Sequence, residues 1–377
     1  MFSPEYKSLN ISTFKWSHMK VQGKDYRTVW PGAHHSVDMI DQTKLPFEFV
    51  IHNCPTHKET REAIRTMIIR GAGAIGAAAG YAMAQAFAEA PGINFWRYAE
   101  EARGYIDSAR PTAQNLFWAT NRVFEAATIA NRNNIAANIA MMEAQKIADE
   151  DSEWCHQIGI HGNSRIERKP NGASFNIGTH CNAGWLAFSN WGSALSPAYV
   201  AHREGKNITV YCDETRPRSQ GARLTAWELQ NEGVPHFIVP DNAVAYIMSK
   251  GVLDLFIVGA DRIARNGDVA NKIGTLEKAI VAARYHVPFY VAAPTSTFDL
   301  NCPTGEKIPI EQRTQEEVLF QTGPNRAGQI EEILVCNRGS PAINPAFDVT
   351  PAELITGIIT PKGIIKPTEA EILGLFR

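Results

Sequence analysis

A cysteine and an aspartate stand where chemistry is usually done, each just past a short apolar run. Cys181 lies in Thr179-His180-Cys181-Asn182-Ala183-Gly184, after the β-branched segment 174–179 and before an apolar, helix-like stretch. A thiol near a helix N-terminus has its thiolate favoured, which suits proton abstraction or nucleophilic attack. The general fate of a cysteine is a small buried core residue; the polar setting at a strand end lifts Cys181 above it. Asp261 follows Leu253-Asp254-Leu255-Phe256-Ile257-Val258-Gly259-Ala260, which reads as a central parallel strand. Its carboxyl should emerge at the carboxyl edge of the sheet, where open α/β sheets bind ligands. Partial desolvation there raises a carboxyl towards the range a general acid needs. The plainer alternative is an aspartate that caps the next loop or pairs with Arg262 or Arg265.

Several groups suit an anion. Arg70-Gly71-Ala72 falls between two helical stretches, and glycine lets backbone N–H groups approach a phosphate closely; close helix packing explains the same small residues. Gly71-Ala72-Gly73-Ala74-Ile75-Gly76 matches G-x-G-x-x-G, but a dinucleotide loop must follow a strand, and here a capped helix precedes it. The expected acid about 20 residues on is also missing, since Glu89 sits in an Ala-rich helical stretch. Arg110-Pro111-Thr112 offers one guanidinium at a helix start. Cys212-Asp213-Glu214-Thr215-Arg216-Pro217-Arg218 is a charged turn after a strand, and Gln220 and Gly221 lead into a predicted helix over 222–229. Asn271-Lys272 precedes helical character over 274–285, and a lysine near a helix start opposes the macrodipole unless an anion joins it. A Cys-His hydrolase is a third reading of Cys181, but His180 points away from it if the strand runs through both. His52, Cys54 and His57, the pair His34 and His35, and Cys155, His156 and His161 lack zinc-site spacing. Neither a metal nor a cofactor is expected.

These groups need a scaffold. Up to about residue 165 the chain reads as helical after a short β-rich start from Tyr26 to Ile51, with a helix over 57–70 opened by the capping box Thr56-His57-Lys58-Glu59 and stopped by Gly71. Beyond the polar segment 161–172, β-branched runs at 174–179, 208–212, 236–239, 253–259 and 288–293 alternate with amphipathic stretches. That alternation predicts a parallel βαβ sheet with helices on both faces. The expectation is therefore α/β, with a mainly helical N-terminal domain, residues 1–165, followed by a Rossmann-like catalytic domain, residues 166–377.

Composition narrows the setting. With 377 residues the chain exceeds one comfortable core. Lys plus Arg at 37 against Asp plus Glu at 39 gives a net charge of -2, so no broad field favours nucleic acid or an anionic membrane. The six cysteines are scattered, without the density of a secreted disulfide framework, which suggests the cytoplasm. The first twenty residues lack the basic and apolar regions of a signal peptide, and no long uninterrupted apolar run predicts a membrane span.

Taken in order, these segments resemble the methylthioribose-1-phosphate isomerase family of methionine salvage, from about Asp41 to the end. The resemblance rests on Arg70-Gly71-Ala72, Arg110-Pro111-Thr112, Thr179-His180-Cys181-Asn182, residues 213–223, Gly259-Ala260-Asp261-Arg262, Asn271-Lys272-Ile273-Gly274-Thr275, Ile308-Pro309-Ile310-Glu311 and Asn344-Pro345-Ala346-Phe347-Asp348-Val349-Thr350-Pro351. It implies an aldose-ketose isomerase with Cys181 as catalytic cysteine and Asp261 as proton-donating aspartate. Arg70, Gly71, Ala72, Arg110, Gln220, Asn271 and Lys272 would contact a sugar phosphate, and the protein would be a homodimer. Relatives of that family include ribose-1,5-bisphosphate isomerases and the regulatory subunits of translation initiation factor two B, the latter not expected to keep the cysteine and aspartate. Departures are Gly73 where the family usually has Pro, Ala183 where Thr is common, and the segment 185–191; they bear on the substrate's 5-substituent, with 5-deoxyribose 1-phosphate a near neighbour.

Overall fold

The computed structural model describes residues 18–377 except Thr112 and Asn131. Most of the N-terminal stretch weighed above as a leader, and Thr112 of the Arg110 run, lie outside the described residues. Short antiparallel strands come first: β1 (Met19–Val21) pairs with β2 (Lys24–Tyr26), and β3 (Val29–Pro31), β4 (Val37–Ile40) and β5 (Ile51–Cys54) form a sheet in that order. Five helices follow, α1 (His57–Arg65), α2 (Ala72–Glu89), α3 (Phe95–Asp107), α4 (Gln114–Thr128) and α5 (Asn133–Asn163). The capping box forms, with the Glu59 N–H donating to Thr56 Oγ1 and the Thr56 N–H donating to the Glu59 carboxylate at 2.9 Å. The helix stops earlier than expected, at Arg65, and Met67 adopts a left-handed φ of 64°. Gly71 is not its stop: it is the N-cap of α2, with φ 95°. Every residue of α2 from Gly73 to Phe87 is buried, as expected of a helix that is apolar all round and enclosed by its neighbours. Its alanines and glycines let α1, α3, α4 and α5 close around it.

Next come β6 (Phe175–Thr179), α6 (Ser196–Arg203), β7 (Ile208–Asp213), α7 (Ala226–Asn231), β8 (His236–Val239), α8 (Val244–Ser249) and β9 (Leu255–Val258). The chain continues through β10 (Arg262–Ala264), β11 (Val269–Lys272), α9 (Thr275–Tyr285), β12 (Phe289–Ala292), β13 (Phe298–Asp299), α10 (Glu316–Leu319), β14 (Phe320–Pro324), β15 (Ile330–Leu334), β16 (Phe347–Thr350), β17 (Gly357–Thr360), β18 (Gly363–Ile365) and α11 (Glu369–Gly374). The five β-branched runs are β6, β7, β8, β9 and β12, and they join β17 and β18 in one sheet of order β18-β17-β12-β9-β6-β7-β8. All its pairings are parallel except that of the edge strand β18. Both faces are covered, because alternate side chains enter opposite cores. Leu255 and Ile257 of β9 join the core with α5, α6 and α7; Phe256 and Val258 join the one with α8, α9 and α11. No helix among the described residues is long and apolar enough to cross a membrane.

Three local expectations are corrected. No α-helix starts after Cys181: residues 182–195, buried except for the half-buried Ala183, are irregular apart from a 3-10 turn at Trp185–Ala187, and α6 begins only at Ser196. The run was apolar because it is enclosed on all sides, and burial without periodicity resembles a helix in sequence. Lys272 ends strand β11 instead of standing at a helix start, and the helix read over 222–229 is a π-turn, Gly221–Thr225, running into α7. A small sheet of order β13-β10-β11-β16, unforeseen in the sequence, sits beside the carboxyl end of β9.

Candidate active site

The main sheet is wound outward from its middle. From β6 the chain adds β7 and β8 on one side, then returns to place β9, β12 and β17 on the other. Loops leaving β6 and β9 therefore diverge and open a crevice, the place where such sheets take ligands. Cys181 follows the end of β6 and Asp261 the end of β9, and both line one pocket.

Cys181 is buried and left-handed, with φ 63°. Its N–H donates to Thr215 Oγ1 at 2.8 Å, and its carbonyl accepts from Thr225 Oγ1 at 2.8 Å. Two buried threonines thus clamp the backbone and fix the thiol's position. The Asp261 N–H donates to the Ala270 carbonyl at 2.9 Å, tying the residue to β11. The residue is exposed, not part-buried as a strand-end position led one to expect. Nor does it pair with its neighbours: Arg262 lies 3.4 Å from Asp299, and Arg265 lies 3.2 Å from Glu369.

The expected substrate contacts line the same pocket. Arg70 Nη1 donates to Asn182 Oδ1 at 2.7 Å and Nη2 to the Asn182 carbonyl at 3.1 Å. Gly71 is required twice over, by its φ of 95° and because a Cβ would lie 2.3 Å from the Ala187 Cα. Ala72 begins α2, so the unpaired first-turn amides of this largely buried helix open beside Arg70. Burial, then the like charge of Arg313, holds Arg110 below its ordinary pKa, with Glu311 at 3.8 Å opposing. Asn271 Nδ2 donates to Thr275 Oγ1 at 3.0 Å. Gln220 is buried, and its Oε1 has no hydrogen-bond partner among the described residues. Lys272, only 7% exposed, donates to the Ala346 carbonyl at 2.8 Å and lies 4.3 Å from the Phe347 ring centroid. Burial and the charges of Arg313 and Arg70 pull it down to about 8, while Cys181 and Asp261 oppose the fall.

The polar pocket residues that escaped the sequence reading include Arg313, Asn115 and Ser193. Arg313, 3.3 Å from Glu311 and 3.8 Å from Glu317, comes from an irregular stretch with no periodicity to flag it. Asn115 and Ser193 are buried, and Asn115 Oδ1 and Ser193 Oγ have no partner among the described residues. The helix start around Arg110 was the one available signal for Asn115.

Among the described residues, one group of side chains could hold a metal by proximity alone: His180, Asp213 and Asp241. Its valences are already used. His180 Nε2 lies 2.8 Å from the Ile273 carbonyl, which only accepts, so that nitrogen carries a proton. Nδ1 lies 2.8 Å from Asp213 Oδ2, and the Asp241 oxygens accept the N–H groups of Thr215 and Arg216 at 2.6 and 2.7 Å. Lys278 Nζ, 4.0 Å from Asp213 Oδ2, supplies the cation such a group would otherwise bind. Burial raises the Asp213 carboxyl, with His180 and Lys278 opposing. The group acts as an ionic lock on the loops around Cys181.

A model described as the Initiation factor 2 subunit family matches residues 68–367. The chain belongs to that family. Within it, the protein is 46% identical over 368 residues to a methylthioribose-1-phosphate isomerase of Methylorubrum extorquens, covering 95% of this chain and 98% of the relative. A crystal structure of 5-methylthioribose 1-phosphate isomerase from Pyrococcus horikoshii OT3 superposes with TM-score 0.83 at 40% identity, over 94% of this chain and 96% of that one. Another family structure, described as translation initiation factor eIF-2B subunit delta from A. fulgidus, gives TM-score 0.79 at 36% identity, over 93% of this chain and 100% of that one.

Proposed function

We infer that this protein is a methylthioribose-1-phosphate isomerase, converting 5-methylthioribose 1-phosphate to 5-methylthioribulose 1-phosphate in methionine salvage. One observation carries the reading: a thiol and a carboxyl group flank the sheet's switch point in a pocket where cationic groups outnumber acids. The substrate's anomeric carbon is locked as a phosphate ester, so its ring cannot open by loss of a hydroxyl proton. In our reading Asp261 gives a proton to the ring oxygen as the bond from that oxygen to C1 breaks. The Cys181 thiolate then removes the C2 proton, leaving an enediol phosphate. The thiol returns that proton to C1, the 2-hydroxyl proton passes to Asp261 as the ketone forms, and both groups end as they began.

Arg70, the first-turn amides at Gly71 and Ala72, Arg110 and Lys272 hold the phosphate in this scheme. Gln220 and Asn271 take hydroxyls, the unpaired Gln220 Oε1 being an acceptor that a sugar hydroxyl satisfies. The organisation proposed with it is a helical domain up to residue 165, a Rossmann-like catalytic domain after it, and a cytoplasmic homodimer. The exposed apolar residues Phe237 and Ile238 on edge strand β8 favour self-association, and light scattering of the purified protein reads the oligomeric state.

The functional test is ketose formation from 5-methylthioribose 1-phosphate by wild type and Cys181→Ala, with 5-deoxyribose 1-phosphate and ribose 1,5-bisphosphate as alternative substrates. Turnover of the first, abolished in the variant, is expected. No turnover with any of the three transfers the assignment to a non-catalytic, ligand-sensing subunit.

A further inference from the structure

Glu228 of α7 touches no ligand-facing surface, and its side chain is entirely buried, yet it accepts four hydrogen bonds. Asn182 Nδ2 and the Leu186 N–H donate to Oε1 at 2.8 and 3.1 Å; the Trp185 N–H and the Tyr199 hydroxyl donate to Oε2 at 2.8 and 2.7 Å. Three of these donors belong to the turn that follows Cys181. That turn closes directly over the carboxylate: a Cβ on Gly184 would lie 1.8 Å from Glu228 Oε2. Burial pushes the Glu228 carboxyl up to about 7, and the donors counter it.

The arrangement fixes Asn182 in one orientation. A carboxylate only accepts, so Asn182 must turn its amide nitrogen inward, where Nδ2 also reaches Thr225 Oγ1 at 3.2 Å. Its Oδ1 is thereby left facing the pocket, and it receives Arg70 Nη1 at 2.7 Å while the Asn182 backbone carbonyl receives Nη2 at 3.1 Å. With Asn182 flipped, an NH2 group would face Arg70 Nη1 and repel that donor, leaving the guanidinium held only by its Nη2 contact with the backbone carbonyl. We propose that Glu228 is a positioning residue for phosphate recognition, acting through Asn182 to set the orientation of the Arg70 guanidinium in the pocket. The proposal rests on the reading of this pocket as a sugar-phosphate site.

Glu228→Gln tests it, because either orientation of the glutamine amide sets its NH2 against a backbone N–H, that of Leu186 or that of Trp185. The full chain is titrated with inorganic phosphate by calorimetry, and KM and kcat are measured on 5-methylthioribose 1-phosphate. Glu228→Gln and Asn182→Ala are each expected to weaken phosphate binding and raise KM about tenfold, with kcat changed less than about threefold. The double variant is expected to be no worse than either single one, the mark of a shared route. Tyr199→Phe removes another donor to the same carboxylate without touching Asn182; it should lower the unfolding temperature and keep phosphate affinity within about twofold. Wild-type phosphate affinity in Glu228→Gln overturns the proposal, as does an equal loss in Tyr199→Phe, which would mark a general structural role. Should Glu228→Gln not fold, unchanged phosphate affinity in Asn182→Ala overturns it by itself. Absence of turnover in wild type sinks the isomerase reading, while the phosphate titration still decides this inference.

Discussion

Replacing Lys272 by Met should stabilise the protein at neutral pH while disabling it. The lysine is buried in the pocket, and its pKa falls from the ordinary 10.5 to about 8. At about 1.4 kcal/mol per pH unit, that gap corresponds to about 3 kcal/mol spent in keeping the ammonium charged in the folded state. Against this stand a hydrogen bond to the Ala346 carbonyl and the Phe347 ring contact, each worth about 1 kcal/mol. The carbonyl is not orphaned by the change, since the Ile273 N–H also donates to it at 3.1 Å. A net gain of about 1 kcal/mol at pH 7 follows. The sign of its pH dependence is fixed by linkage. Between pH 8 and 10.5 the unfolded chain keeps the Lys272 proton and the folded chain has lost it, so wild type gains stability as pH rises through that window. The variant lacks this gain. Its advantage should hold steady below pH 8 and fall by about 2 kcal/mol by about pH 9.5. Parallel urea unfolding of Lys272→Met and wild type across that range measures it, both in a Cys181→Ala background to remove the neighbouring thiol. A stability difference independent of pH would refute the assignment of a destabilised, charged lysine to this pocket.

The same group predicts that kcat/KM, which reports the free enzyme, falls as pH rises through about 8; in Lys272→Gln activity should be low throughout and that descending limb absent. Transfer through Cys181 predicts solvent deuterium at C1 of the ketose when turnover runs in heavy water, whereas a direct hydride shift leaves C1 free of it; mass spectrometry of the product separates the two. Gly71→Ala should cost more than about 1 kcal/mol from its left-handed backbone alone, and the 2.3 Å approach to Ala187 adds to it; a lowered melting temperature together with lost turnover is the expected result. Cys181→Ala should abolish turnover and still bind 5-methylthioribose 1-phosphate by calorimetry, because the cationic groups lie on other segments.

The sequence by itself determined those features that nearest neighbours along the chain decide. Continuous β-branched runs are the signature of strands buried on both faces, so β6, β7, β8, β9 and β12 were legible. With them came the placing of Cys181 and Asp261 at strand ends, and the capping box of α1 rested on a local exchange of hydrogen bonds. Tertiary structure alone decided which strands are neighbours. The crevice exists because β6 and β9 lie side by side although they are far apart in the chain, and no local period encodes that pairing. Lys272 reaches the pocket as the end of a strand whose sheet assembles from four separated segments. Glu228 acts through partners distant in sequence, and a carboxylate on a short helix is indistinguishable, residue by residue, from one on a solvated face. Burial separates the two, and burial is a property of the assembled fold.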